Sequence, residues 1–544
     1  MANGTGRRNV ASLIEDPRMS RAVSNISARS EREPDVTVLQ NTYVETGILP
    51  QLENYNNQIL YGRRGTGKTH VLQVLGQELE RDNDTYSMYV DIRLLGSSHL
   101  FTDSTRPIAD RCVAVFKDLL GLIQARLLDI ATSPDNDGSG LQEVSDFADF
   151  IAQKAVEVTK RAIKDSNATS RKDSTNATVD ASLTGDIKAN LGSSESDEYS
   201  ASREVEYEEA LRESLVFSEV QQRLNSTLSA MKIGHFVLLV DEWTSLPVEI
   251  QPFVAEFIRR SFFTSTRVTV KIASLEYRSR FSLTDAGNII GFELGADIAA
   301  NLDLDDFYVY DRNEDKVVSN FHELLYKHVT SGLDPELLKQ HTIRDATSFR
   351  SRIFTERATF VELVRAGEGV VRDFLGIFSA AFFKAITTGR QKIDLHSVEE
   401  AARDWYETDK STALSDNQRE ALHRIIQDVI GDRSTKMFML SRSDANHPMI
   451  QSLFDLRLLH LILRGYSDKE NPGKRYNIYA LDYGTYVDLK RTKAEPEGLF
   501  EVDDADKDQE KKPEQSAEDR IVPFKDKRRI RRVILETSIF NDLI

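Results

Sequence analysis

Two hydrophobic periods alternate along the chain. Ile59-Leu60-Tyr61, Tyr86-Ser-Met-Tyr-Val-Asp91, His235-Phe-Val-Leu-Leu-Val240 and Arg267-Val-Thr-Val-Lys-Ile-Ala-Ser-Leu275 are short, mostly apolar runs. Strands buried on both faces of a parallel sheet read this way. Between them, residues 69–80 set Val71, Leu72, Val74, Leu75 and Leu79 on one helical face, and 107–128, 203–232 and 247–263 continue in the same period. Pro107 stands where a helix begins. Such alternation predicts an α/β core with helices on both faces of the sheet. Residues 35–52 form a short element ahead of it. From 334 to 407 the period is almost wholly helical; one apolar helix opens near 367–375 and another near 392–401, with Asp394 or Ser397 as cap.

The turn after the first strand, Tyr61-Gly62-Arg63-Arg64-Gly65-Thr66-Gly67-Lys68-Thr69-His70, satisfies G-x-x-x-x-G-K-[ST] at every position. Strand, glycine loop and helix are the setting a phosphate-binding loop requires. Gly62, Gly65 and Gly67 let the backbone aim its N–H groups at an anion, which the helix N-terminus also favours. Lys68 is expected on the β- and γ-phosphates and Thr69 on Mg²⁺, with Arg63, Arg64, Thr66 and His70 completing the nucleotide-contacting loop.

The strand at 235–240 ends in Asp241-Glu242, the Walker B pattern: Asp241 for the metal, Glu242 to polarise the attacking water. No guanine-reading N-K-x-D follows a strand, so ATP is the expected nucleotide. The strand at 267–275 leads to Ser274 and Glu276, candidates for γ-phosphate contact, and to Arg278 and Arg280, candidates for a finger into a neighbouring subunit's site.

Composition narrows the class. The chain has 544 residues, a single cysteine (Cys112) and a formal net charge of −17. An internal disulfide is excluded, and with it any cysteine-based zinc site. No apolar signal core or membrane-length apolar stretch is present, so a soluble cytoplasmic protein is expected. The charge confines nucleic-acid contact to local patches. Residues 1–35 read as a flexible arm, about 164–203 as a low-complexity flexible insertion, and 492–544 as an acidic linker and a basic tail.

The chain resembles AAA+ ATPases of the origin-recognition-complex/cell-division-control initiator branch. GRRGTGKT and DEWTSLP also look like bacterial stand-alone ATPases of that branch, some of them suspected defence components. The resemblance implies a P-loop core at 36–325, a helical lid at 326–412 and a winged-helix domain at 413–491. Gly369-Val-Val-Arg372 looks like the branch's lid motif, although the usual acid after Gly is absent; Arg372 would touch the γ-phosphate. In the winged helix, helices at 418–430 and about 447–456, a strand at 459–465, an Asn471-Pro-Gly473 turn and a long strand at 476–489 are expected. Arg464, Lys469, Lys474 and Arg475 would meet phosphate, and Gln451 and Arg457 would read bases. The implied function is slow Mg²⁺-dependent ATP hydrolysis (ATP and water to ADP and phosphate) that switches engagement of DNA, a partner protein or another copy of the chain. The alternative is a signalling or antiphage-defence regulator gating an effector protein without touching DNA. A small-molecule kinase is the third reading, and no substrate lid around a base supports it.

Overall fold

The computed structural model describes residues 12–26, 35–82, 84–134, 136–152, 217–285, 288–309, 314–467, 473–489 and 533–543. The low-complexity insertion and most of the acidic linker and basic tail lie outside the described residues.

The strands are β1 (Gln58–Tyr61), β2 (Thr85–Asp91), β3 (His235–Asp241), β4 (Val268–Ser274), a β5–β6 hairpin (Ser282–Asp285, Asn288–Gly291) and β7 (Ala300–Asp303). Five of them form one parallel sheet in the order β2-β3-β4-β1-β7. Alternation along β3 shows why its sequence is continuously apolar. Phe236, Leu238 and Val240 enter one hydrophobic core, while Val237 and Leu239 enter the other. The chain leaves β1 for the far edge at β2 and returns through β3 and β4. The order therefore reverses at β1, and the crevice at the strands' carboxyl ends is the ligand position of an open α/β sheet.

The longer helices are named in chain order. They are α1 (Pro17–Ser24), α2 (Val36–Thr42), α3 (Lys68–Leu79), α4 (Ile108–Thr132), α5 (Phe217–Ala230) and α6 (Gln251–Ile258). A helical unit, where the lid is expected, follows as α7 (Glu314–Thr330), α8 (Ala346–Ile353), α9 (Arg357–Ala366), α10 (Val371–Thr387) and α11 (Leu395–Trp405). The helical unit thus begins before the expected boundary at 326, since α7 already packs on α8 and α9.

The expectation of a flexible arm over 1–35 is corrected for its described part. Asp16 caps α1 by accepting from the Arg18 N–H at 2.8 Å, and Leu13, Ile14, Met19, Ala22 and Val23 are buried in the lid core. Five apolar side chains at helical spacing outweigh the arginines around them.

After the lid come α12 (Asp416–Ile426), β8 (Met437–Ser441), α13 (Pro448–Asp455), β9 (Leu459–Ser467) and β10 (Arg475–Leu481). The strands form an antiparallel sheet in the order β8-β10-β9. Strand β8 was not anticipated, because its five residues lie close behind a helix. The expected long strand at 476–489 stops at Leu481, where the Asp482 carboxylate accepts from the Gly484 N–H at 3.1 Å and starts a helical turn. The chain's last described segment returns to this sheet. Met439 donates to the Val533 carbonyl at 2.7 Å and Leu535 donates to the Met439 carbonyl at 3.0 Å, with Val533, Leu535 and Phe540 buried.

Candidate active site

A cleft of about 310 Å³ opens at the carboxyl ends of β1, β3 and β4, under the start of α10. The glycine loop forms its floor. Gly65 and Gly67 hold φ of +85° and +100°. At Gly65 a Cβ would also come within 2.8 Å of the Arg372 Cβ. That close approach is structural, because the Arg372 N–H donates to the Gly65 carbonyl at 3.0 Å and ties the lid to the loop. The Thr66 hydroxyl donates back to the Arg63 carbonyl at 2.9 Å.

Lys68 opens α3, and its ammonium donates to the carbonyls of Gly62 (2.8 Å) and Arg63 (3.0 Å) across the mouth of the loop. Burial holds its pKa below the usual lysine range, opposed by Asp241, Asp305 and Glu242. The next residue reaches the opposite strand: Thr69 Oγ1 donates to Asp241 Oδ2 at 2.6 Å. The Tyr89 hydroxyl donates to the same oxygen at 2.9 Å, and Asp241 Oδ1 accepts from the Glu242 N–H at 2.7 Å. The two side-chain oxygens of Thr69 and Asp241 thus stand together at the loop. Hard, adjacent oxygen donors with room for water fit Mg²⁺, which keeps much of its hydration shell. Among the described residues no group of three or more His, Cys, Asp or Glu gathers as a metal cage.

Glu242 sits at φ +55°, a left-handed conformation costing on the order of 1 kcal/mol. It lines the cleft beyond Asp241. Burial, then the Asp241 charge, push its carboxyl above the ordinary range, while Arg93 and Lys68 pull the other way. Arg93 is clamped on Asp91 (Nη2 to Oδ2, 2.6 Å), with Nη1 3.6 Å from Glu242 Oε1. Neither Arg93 nor Tyr89 was picked out from the sequence. The signal was there, since β2 ends in Asp91-Ile92-Arg93 as β3 ends in Asp241-Glu242.

No protein-family model and no curated protein matches the sequence. Solved structures do. The ORC2 protein of Aeropyrum pernix is 12% identical with a TM-score of 0.36, over 84% of this chain and 97% of that one. Cdc6p from Pyrobaculum aerophilum is 12% identical with a TM-score of 0.32, over 86% and 97%. RuvB from Thermotoga maritima is 10% identical with a TM-score of 0.30, over 84% and 94%. The strand order, the glycine loop after β1 and the acidic pair after β3 lead to one conclusion. The fold is that of a P-loop nucleotide-binding α/β domain.

Within this fold the remaining candidates divide. Arg64, His70, Ser274 and Arg372 line the cleft. Arg63 does not, and its expected nucleotide contact is corrected. Its side chain is buried, bonded through Nε to Asp305 (3.1 Å) and through Nη2 to the Glu368 carbonyl (3.0 Å), with Nη1 on His460. Glu276 is drawn away from the cleft by Arg464, which bonds both its oxygens at 2.8 and 2.6 Å. Arg278 pairs with Asp455 on α13. Arg280 is exposed outside the cleft, its backbone N–H donating to Gln251 Oε1 at 2.7 Å.

The proposed DNA contacts are likewise redistributed. Arg457 is buried, paired with Asp373 and with Asp409 at 2.6 Å. Arg464 is spent on Glu276 and Asp303. Helix α13 faces inward, with Phe454 against Tyr277 and the Arg63 guanidinium. Gln451 is half-buried, Lys474 and Arg475 are exposed, and Lys469 lies outside the described residues.

A buried ionic chain joins the three units. From Arg63 in the loop it runs to His460 on β9, whose Nε2 donates to Asp482 at 3.0 Å. Lys410 bonds Asp482 at 2.5 Å and is ion-paired with Asp373, the neighbour of Arg372, at 3.0 Å. Sequence reading missed it because its members are far apart along the chain.

Proposed function

We propose that this protein is a Mg²⁺-dependent ATPase whose nucleotide state sets the coupling between its core, its lid and its C-terminal sheet, and so its engagement of a partner protein. The observation that carries the reading is the meeting of Lys68, Thr69, Asp241 and Glu242 around one cleft, with Thr69 and Asp241 2.6 Å apart.

Thr69 and Asp241 would hold Mg²⁺, which when bound neutralises charge between the β- and γ-phosphates. Lys68 exchanges the Gly62 and Arg63 carbonyls for phosphate oxygens, a neutral for a charged partner and hence a stronger bond. Glu242, its carboxylate basicity raised by burial, orients the attacking water and accepts its proton. Arg372 reaches the same phosphates from the lid. Its movement is felt at once by Asp373, and through Lys410 and Asp482 by the C-terminal sheet.

A partner protein is favoured over DNA because two of the expected DNA contacts, Arg457 and Arg464, are consumed in internal ion pairs. Exposed Lys474 and Arg475 keep DNA as the second reading. Low-salt anisotropy with duplex and single-stranded DNA separates the two. Salt-sensitive binding abolished by Lys474→Ala/Arg475→Ala restores the DNA reading.

For the chemistry, Glu242→Gln should bind ATP with parental affinity and lose at least roughly 100-fold in turnover, and Lys68→Ala should lose nucleotide affinity. Parental turnover in Glu242→Gln would remove Glu242 from its role.

A further inference from the structure

The cleft lining includes His70 on α3, His328 on α7 and Val371 and Leu375 on α10. The two imidazoles lie 6.4 Å apart at a steep interplanar angle, with Tyr43 edge-on to His70 at 5.7 Å. Each ring has one nitrogen fixed by a backbone carbonyl. His70 Nε2 is 2.7 Å from the Leu39 carbonyl and His328 Nδ1 is 2.9 Å from the Leu324 carbonyl. A carbonyl oxygen only accepts, so both of these nitrogens carry the hydrogen. In a neutral imidazole the other nitrogen is then an acceptor. An imidazole titrates near 6.5 and is mostly neutral at physiological pH, and burial brings His328 further down, to about 4. The cleft lining therefore holds two acceptor nitrogens, His70 Nδ1 and His328 Nε2, and two aliphatic side chains of the kind that lie against a flat ring.

We propose that His70 and His328 select the nucleotide base, accepting hydrogen bonds from the 6-amino group of a purine and rejecting the 6-oxo group of guanine. The inference rests on the phosphate-site reading above and adds the base to it. An amino group has two hydrogens to give, matching two acceptors. A 6-oxo group would face their lone pairs with none, leaving buried polar atoms unpaired on both sides.

The test uses full-length protein and equilibrium binding of ATP, purine riboside triphosphate (which lacks the 6-amino group) and GTP, with Mg²⁺. The parent should bind ATP roughly tenfold or more tightly than purine riboside triphosphate, and GTP more weakly than ATP. His328→Leu and His70→Leu should each narrow the ATP-to-purine-riboside gap by roughly five- to tenfold, chiefly by weakening ATP. His328→Gln, whose amide can present its NH₂ instead, should recover GTP affinity. The effects are read in Kd. An equal loss for all three nucleotides in the leucine variants would place these histidines at the phosphates or ribose and overturn the proposal. So would a parent indifferent to the 6-amino group. If uptake occurs and depends on Lys68 yet shows no amino preference, only the base assignment fails. If no nucleotide is taken up at all, the phosphate-site reading fails with it.

Discussion

Lys410→Met isolates the buried ionic chain. Lys410 is 2% exposed, and its two partners, Asp373 and Asp482, are 0% and 2% exposed. Burial alone would push the Asp482 carboxyl up; Lys410 and His460 hold it well below the carboxylate range instead. Methionine fills most of the space but removes the ammonium, leaving Asp482 with a neutral histidine and Asp373 with Arg457 alone. Removing one partner of a buried pair costs about 3–5 kcal/mol. For a unit of about 150–250 residues each kcal/mol moves Tm by about 2–4 °C, so the transition should fall by roughly 6–20 °C. Calorimetry at neutral pH reads this directly. Arg424→Ala is the control. Arg424 pairs with Asp542 at 2.6 Å at the protein surface, and its loss should leave the transition close to the parent's. A Lys410→Met variant melting within about 2 °C of the parent would refute the claim that this chain holds the three units together.

Two further outcomes follow from the same structure. Gly376→Ala sets helix propensity, worth about 1 kcal/mol in favour of alanine, against a Cβ placed 2.3–2.7 Å from the Trp405 ring. Overpacking costs about 1–3 kcal/mol, so a lower Tm is expected, and a stabilised variant would show that α11 yields freely. Acid should weaken the fold through His328 and His460, both lowered to about 4 by burial from an ordinary value of 6.5. Between these two values the unfolded chain binds more protons at both sites. Their stabilisation, up to about 3 kcal/mol each, is present above the ordinary value and lost as pH falls toward 4. Asp303, raised to about 6 by burial and Asp305, offsets part of this in the same window. Urea midpoints measured across that window should decline toward acid; a flat profile would contradict the neutral-histidine assignment.

The parts of the molecule that could be read in the sequence are those whose signal is local. The four apolar runs at 59–61, 86–91, 235–240 and 267–275 became β1 to β4 with ends shifted by a residue or so, because strands covered on both faces admit few polar residues. The glycine loop was legible because phosphate geometry imposes residue types at fixed spacing. What was missed depends on partners distant in sequence. Strand β7 has only four residues and owes its place to pairing with β1. Arg63 looks like any loop arginine until Asp305 and His460 are seen around it. Arg457 and Arg464 read as solvent-facing cations because acids such as Asp373 and Glu276, which neutralise them, lie far away in the chain.

Val533 to Leu535 pair with Met439 of β8, on the side opposite β10. A bare strand margin is a template for intermolecular pairing and aggregation. Here the polypeptide shields that margin with its own distal residues. A truncation or fusion that displaces them would therefore be expected to show first as stickiness and loss of solubility, with the catalytic cleft itself untouched.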